Sequence, residues 1–591
     1  MTSIPALLRD RVEQTPDSEA YRVPSETGWT SLTWRQTGER VRELALGLAR
    51  LGAAPDTRVA ILCSTRLEWI LADFAVLATG AATTTIYPAN TAAESAFVIN
   101  DSGSTLVVAE NAEQVAKLRS VRAELPDVKH VIVIDGPAEE DGDDGWVVPW
   151  EAVSDPGAAD GAYDAMIDAI GAEDLATLIY TSGTTGRPKG VELTHDNWLF
   201  IARAVRKLDI IGPADLHFLW LPLSHSFGKL LQVVMVDAGV PTAIDGRLDR
   251  IAENLGVLKP TFMAAAPRIF EKIHNTVSAT VRREGGLKLR IFEWAKSTGN
   301  RVVRARQRGA AVPLTTRVEY AVADRLVFAK LRERFGGRIR FFISGAAPLS
   351  MEMAEFFDAA GLTILEGYGL TETSAGSFLN RPESVAFGTV GPPLPGVEVR
   401  IAEDGEVLVG GPCVMRGYHN LPEDTAAVLE DGWMRTGDIG EVDAAGRLRI
   451  TDRKKELIKT SGGKYVAPTY LEGRIKAACP YLSHVFVHGD RRNYCTALVT
   501  LDMDVVTPWA ASAGLPADAE ALRAHPRMRA EVEQAIGRVN AELASYETVK
   551  KFEILADDFS VESGELTASL KIRRKVVEER HGKVLDSFYD A

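Results

Sequence analysis

The chain has 591 residues, 46% hydrophobic and 25% charged, which excludes disordered and collagen-like classes. It exceeds what one core holds, since single cores stop growing at roughly 250–300 residues. Its 81 acidic residues outweigh 67 basic ones for a formal charge of -14, which argues against a nucleic-acid partner.

The N-terminal stretch has no signal pattern, because Asp10 and Arg11 interrupt it at once. Cys63, Cys413, Cys479 and Cys495 stand without metal or disulfide spacing, so a reducing, cytoplasmic setting is expected. Residues 36–52, QTGERVRELALGLARLG, carry apolar residues at helical spacing and end on glycine. RVAILC (58–63), TTTIY (83–87), TLVVAE (105–110) and HVIVID (130–135) read as strands. The apolar run at 69–87 contains Asp73, Gly80 and a threonine cluster, and reads as a buried helix followed by a strand rather than a membrane span. Such alternation predicts α/β architecture around a largely parallel sheet. Residues 137–145, PAEEDGDDG, read as a solvated surface loop.

Residues 180–195, YTSGTTGRPKGVELTH, combine hydroxyls, small residues and a closing cation. Thr181, Ser182, Thr184 and Thr185 offer hydroxyls, Gly183 and Gly186 let backbone approach a polyphosphate, and Lys189 supplies charge. The spacing is not GxxxxGK[ST], and Pro188 removes a backbone donor, so a P-loop kinase or GTPase is disfavoured.

Between Pro267 and Phe341 a long basic stretch favours helices, predicted as paired helices inserted beside the sheet. Its basic face is ordinarily solvated; a membrane-surface role is the second reading. Near residue 450 the texture becomes densely charged, which predicts a hinge. The expected division is 1–451, a large N-terminal part, and 452–591, a small mobile α+β part with strands HVFVHG and TALVTLD. No internal repeat or low-complexity segment interrupts either part.

The 180–195 loop resembles the signature of the adenylate-forming superfamily of acyl-CoA synthetases, peptide-synthetase adenylation domains and luciferases. FFISGAAPLS (341–350), LEGYGLTETS (365–374), GTVGPPLPGVEVRI (388–401), GWMRTGDIG (432–440), ITDRKKELIKTSGGKYVAP (450–468) and GELTASLKIRRK (564–575) resemble its other motifs, in its order. The resemblance covers nearly the whole chain. APRIFEKI (266–273), the helical insertion and the terminal LKIRRK are most similar to long-chain fatty acyl-CoA synthetases.

That resemblance implies layered α/β subdomains with a small β subdomain, followed by a mobile lid. It implies that ATP, Mg²⁺ and coenzyme A are used to turn a hydrophobic carboxylic acid, of the medium- to long-chain fatty class, into its thioester. The loop residues Thr181 to Gly186 and Lys189 would hold phosphates, with Glu372 and Thr181 at the metal and Thr371 at the α-phosphate. Gly345, Ala346 and Ala347 would close over adenine opposite Tyr368, within Glu366, Gly367, Tyr368 and Gly369. Asp438 would accept the ribose hydroxyls, with Arg453 beside it. Lys571 would bridge carboxylate and α-phosphate as charge builds.

A lysine so far from the loop implies closure of the small part, with Asp452 and Lys455 in the hinge, and a second pose that brings Lys459, Gly462 and Gly463 to the thiol. His225, Gly228, Ala264 and Ala266 are expected at the acyl pocket. Gly228-Lys229 departs from the bulky or arginine-bearing pattern of long-chain members, which leaves the acid's class open. Transfer to a carrier protein, an amine or another nucleophile is the alternative. A non-catalytic adenylate binder is a third reading, opposed by the presence of Glu372, Asp438, Arg453 and Lys571 together. Peripheral contact with membranes is a further expectation, and the sequence does not give the oligomeric state.

Overall fold

The computed structural model describes residues 2–136, 145–154, 160–181, 187–461, 463–516, 518–567 and 570–590. The expected loop at 137–144, the phosphate-loop residues Ser182, Gly183, Thr184, Thr185 and Gly186, and Gly462 lie outside the described residues.

Two eight-stranded sheets form the large part. In the first, strands Glu19–Ser25, Thr242–Ile244, His217–Leu219, Phe262–Ala265, Phe341–Ser344 and Ile364–Tyr368 run parallel. Antiparallel strands Gly28–Thr33 and Phe378–Leu379 close its edges. The second holds Leu175–Thr181, Ala82–Ile86, Arg58–Leu62, Ser104–Asn111, His130–Asp135 and Val147–Pro149 in parallel. Lys189–Thr194 pairs antiparallel at its other edge, with Gly417–Tyr418 beyond it. The strands read from the sequence are all present, and so is the helix at 36–52, which spans Trp34–Arg50 and starts on a Thr33–Gln36 capping box.

The apolar run at 69–87 divides as expected into helix Leu67–Ala78, buried almost throughout, and strand Ala82–Ile86. No helix among the described residues is long and apolar enough to cross a membrane. The inserted helices are Pro267–Glu284, Gly286–Gln307, Leu314–Ala323 and Ala329–Arg334, beside the first sheet. A third, antiparallel sheet contains Glu398–Ile401, Glu406–Gly410, Trp433–Val442 and Leu448–Arg453.

One continuous core runs through both large sheets and ends with Leu448, Ile450 packing on its margin. A separate core begins at Ile458 and is built around strands Leu482–His488, Cys495–Leu501 and Val549–Ile554. The chain therefore changes core within the charged segment between Ile450 and Ile458, where few apolar anchors exist to hold it to either.

Candidate active site

Helix Ser226–Ala238 forms one wall of the site. His225 caps it by accepting the Phe227 N–H on Nδ1 at 3.1 Å, and Gly239 ends it with φ 66°. Burial, then the charge of Lys571, pushes the His225 ring down to about 3, so it is neutral at pH 7. With Nδ1 accepting, the proton of the neutral ring sits on Nε2, which makes His225 a donor toward the cavity and not a base.

A second wall comes from strand Ile364–Tyr368 and the turn after it. A Cβ at Gly369 would collide with the Ala375 carbonyl, so only glycine lets the chain fold back there. Thr371–Thr373 then makes a tight turn, and Ser374 and Ala375 follow with φ 56° and 68°. This places Thr371 Oγ1 3.0 Å from Ser226 Oγ and Glu372 Oε1 2.9 Å from the Tyr418 hydroxyl, which donates to it. Glu366 accepts the Leu349 N–H, and burial pushes its carboxyl up to about 7.

Gly345 closes the floor, where a Cβ would sit 3.2 Å from the Phe227 ring, and Ala346 adopts φ 67°. Tyr368 donates its hydroxyl to Asp438 Oδ2 at 2.6 Å, and Arg453 Nε lies 3.4 Å from Oδ1 of the same carboxylate. Burial raises the Asp438 pKa against the pull of Arg453 and Tyr368. Asp438 and Arg453 face each other in the register of adjacent strands, so the segment between the two cores begins at this carboxylate.

Thr181 and Lys189 are paired across the hairpin that carries the hydroxyl-rich loop, so the loop's ends are held together. Lys189 Nζ meets Asp424 at 2.5 Å over the Tyr418 ring.

Lys571 enters from the C-terminal part, on a segment whose Leu566 and Ile572 pack in a smaller cluster with Phe486 and Leu498. Its backbone N–H is held by Thr567 Oγ1 at 3.0 Å, and Arg573 anchors the segment to Glu94 of the large part at 3.2 Å. The ammonium is surrounded by protein yet open to the cavity. Its pKa falls below the ordinary value through desolvation first and then Arg453, against the opposing charges of Glu372, Asp438 and Glu456.

These residues line one cavity of about 2400 Å³, larger than the roughly 300–1,000 Å³ of a single small-ligand pocket. His225, Ala266, Asp452 and Lys455 line it too. Its lining includes the apolar side chains of Val205, Ile210, Ile211, Leu231, Val234 and Met235.

Two residues expected at the acyl pocket are not brought to it. Gly228 packs against Pro222, whose carbonyl a Cβ would strike, and Ala264 is buried within its strand, so neither lines the cavity. Lys459 and Gly463, expected near the thiol only in a second pose, also lie outside it, Lys459 over the Tyr465 ring. Lys229, the departure from the long-chain pattern, turns from the pocket into the core, where it pairs with Asp73. Ser226, Phe227, Asp424 and Tyr418 are site residues that the sequence did not single out; adjacency to His225 could have flagged the first two, whereas Asp424 and Tyr418 meet their partners only across the fold.

The AMP-binding enzyme family matches residues 8–419, and the AMP-binding enzyme C-terminal domain matches 455–591. The chain is 36% identical over 594 residues to long-chain-fatty-acid--CoA ligase FadD15 of Mycobacterium bovis, covering 100% of this chain and 97% of that one. It is 31% identical to long-chain-fatty-acid--CoA ligase heimdall of Drosophila melanogaster, covering 99% and 95%. Among solved structures, the adenylation domain of a Mycobacterium chelonae carboxylate reductase aligns with TM-score 0.75 at 22% identity, covering 99% and 91%. The anthranilate CoA ligase AuaEII in complex with anthranoyl-AMP aligns with TM-score 0.70 at 18% identity, covering 98% and 97%.

Proposed function

The chain belongs to the AMP-binding enzyme family, and we propose that it is an AMP-forming ligase joining a hydrophobic, fatty-type carboxylic acid to coenzyme A at the expense of ATP. The observation that carries this reading is the arrival of Lys571 from the C-terminal part in a cavity lined by Glu372, Asp438 and Arg453. The similar relatives named as long-chain-fatty-acid--CoA ligases support the acid and the acceptor.

In the first half-reaction a carboxylate oxygen attacks the α-phosphorus of ATP, and the bond to pyrophosphate breaks. Two anions must approach, so positive charge and orientation are what the protein supplies. Asp438 accepts the ribose hydroxyls, Tyr368 and Gly345–Ala347 enclose the adenine, and Lys189 with the Thr181 loop holds the leaving phosphates. The Lys571 ammonium donates to the carboxylate and the α-phosphate together. His225 offers its Nε2–H to the same region.

The residues fit Mg²⁺: Glu372 Oε2 has no partner among the described residues, and the carboxylate lines the cavity together with Thr181, whose hydroxyl would share the ion. When bound there, the ion neutralises phosphate charge.

In the second half-reaction the thiol sulfur, its proton passing to solvent, attacks the acyl carbonyl, and AMP leaves with the electron pair of the broken acyl–phosphate bond. We take the boundary at 451/452 and the segment 452–455 as the pivot that removes Lys571 and brings Lys459 and Gly463 inward. Contact with membranes belongs to the same reading, since such acids partition into bilayers.

The test is a panel of acids from acetate to palmitate and aryl acids, with ATP and Mg²⁺, following AMP and thioester with and without coenzyme A. The account expects both products with one hydrophobic class of acid. Adenylate that forms but is not consumed by coenzyme A points to another nucleophile; phosphate release without any acid overturns the reading.

A further inference from the structure

The helical run that begins at Leu314 is apolar on two faces. Its inner face is filled: Thr316, Ala323, Phe328 and Leu331 are buried, and Tyr320 and Val327 pack on the main core. Its outer face is bare, with Leu314 76%, Val318 61%, Val322 47% and Leu326 44% exposed. Positions four apart drift by about 40° per step around an α-helix. The wider π turn at Asp324–Phe328 reverses part of that drift, so Leu326 stays near the line of the other three. A helix apolar all round belongs in an interior, and a contiguous exposed apolar strip marks a contact surface.

The charge around the strip says what it contacts. Between residues 301 and 340 there are eleven Lys and Arg against three Asp and Glu, in a chain whose formal charge is -14. Arg301, Arg304, Arg332 and Arg340 pair with carboxylates. Arg317 and Arg325 are exposed, interleave with the apolar residues, and have no acidic partner among the described residues; Arg308 and Lys330 flank them in the same condition. A second copy docking through this face would set like charges against each other. An anionic surface with an apolar layer beneath it satisfies both features.

We propose that this face docks the protein on an anionic lipid bilayer, with Leu314, Val318, Val322 and Leu326 entering the acyl boundary and Arg317, Arg325 and Lys330 meeting the headgroups. The helix beneath, Gly286–Gln307, lines the cavity with Glu293, Lys296 and Asn300, so docking sets the cavity wall one helix away from the bilayer. The benefit of this placement rests on the hydrophobic-acid reading above; the docking itself does not.

Flotation of the full chain with vesicles of equal parts phosphatidylglycerol and phosphatidylcholine tests it. The wild type floats with these and not with pure phosphatidylcholine, and high salt weakens the binding. V318D/V322D and R317E/R325E each lower partitioning by about tenfold or more, while AMP release with octanoate is unchanged. The proposal is overturned if the wild type stays unbound or if both variants float as it does. It is equally overturned if light scattering shows that the variants split a dimer, for then a second copy covers the face. Flotation by a protein that forms no adenylate contradicts the ligase reading and leaves docking standing.

Discussion

Glu366 shows how a single side chain couples the site to pH. Its carboxyl is pushed up to about 7 from an ordinary 4.5 because burial disfavours the anion. The folded state therefore holds this proton more tightly than the unfolded chain does. The associated stability is complete below pH 4.5 and is lost as pH rises through about 7. Glu366→Gln keeps an acceptor for the Leu349 N–H and removes the titration. Thermal midpoints measured across this range should show the variant gaining on the wild type as pH rises to about 7, then holding a constant lead. A difference that does not vary with pH contradicts the assignment. His225, which lines the same cavity, shows the opposite sign: burial keeps it neutral, so its protonation plays no part in activity near pH 7.

Helix Ser226–Ala238 owes its seat to an ion pair that the sequence presented as a pocket anomaly. Lys229 and Asp73 are both 0% exposed, and Gln232 Nε2 donates to the same carboxylate at 2.8 Å. They tie this helix to Leu67–Ala78 beneath it, while His225, Ser226 and Phe227 at its start face the cavity. Lys229→Met leaves a buried carboxylate without its cation and should cost about 3–5 kcal/mol, seen as a lower thermal midpoint. Lys229→Met with Asp73→Leu should recover most of that loss. A double variant as unstable as the single one would show that the pair is not what holds the helix.

Elements of this kind also show what was legible beforehand. Strand and helix placement followed from periodicity, and the matched motifs led to the residues that share the cavity. Gly228 and Ala264 misled because small residues serve close packing as readily as a roomy pocket, and sequence spacing does not say which. Tyr418 and Asp424 were missed because their partners, Glu372 and Lys189, are distant along the chain and meet them only through the pairing of strands Lys189–Thr194 and Gly417–Tyr418.

At the scale of the whole molecule, the second core sits against helix Pro267–Glu284. Glu271 meets Lys476 at 2.9 Å, Lys272 meets Asp504 at 3.1 Å, and Arg268 donates to His484 Nε2 at 2.9 Å. These ties and the Arg573–Glu94 pair hold the arrangement in which Lys571 lies inside and Lys459 outside. All of these ties are polar, which suits the contact that the proposed swing would open. Glu271→Lys should slow adenylation by about tenfold or more by placing like charges at a mostly buried contact. Exchanging the charges with Lys476→Glu should restore the rate. If the exchange fails to restore it, the pair does not govern this pose.

The most direct test separates the two half-reactions in Lys571→Ala. Exchange of pyrophosphate into ATP, driven by the preferred acid, reads the first; thioester formed from a presynthesised acyl-adenylate and coenzyme A reads the second. The account predicts that exchange falls by about 100-fold or more, while thioester formation from the adenylate stays close to wild type. Equal loss of both, or exchange at the wild-type rate, contradicts the claim that this lysine is delivered to the cavity for acid activation alone.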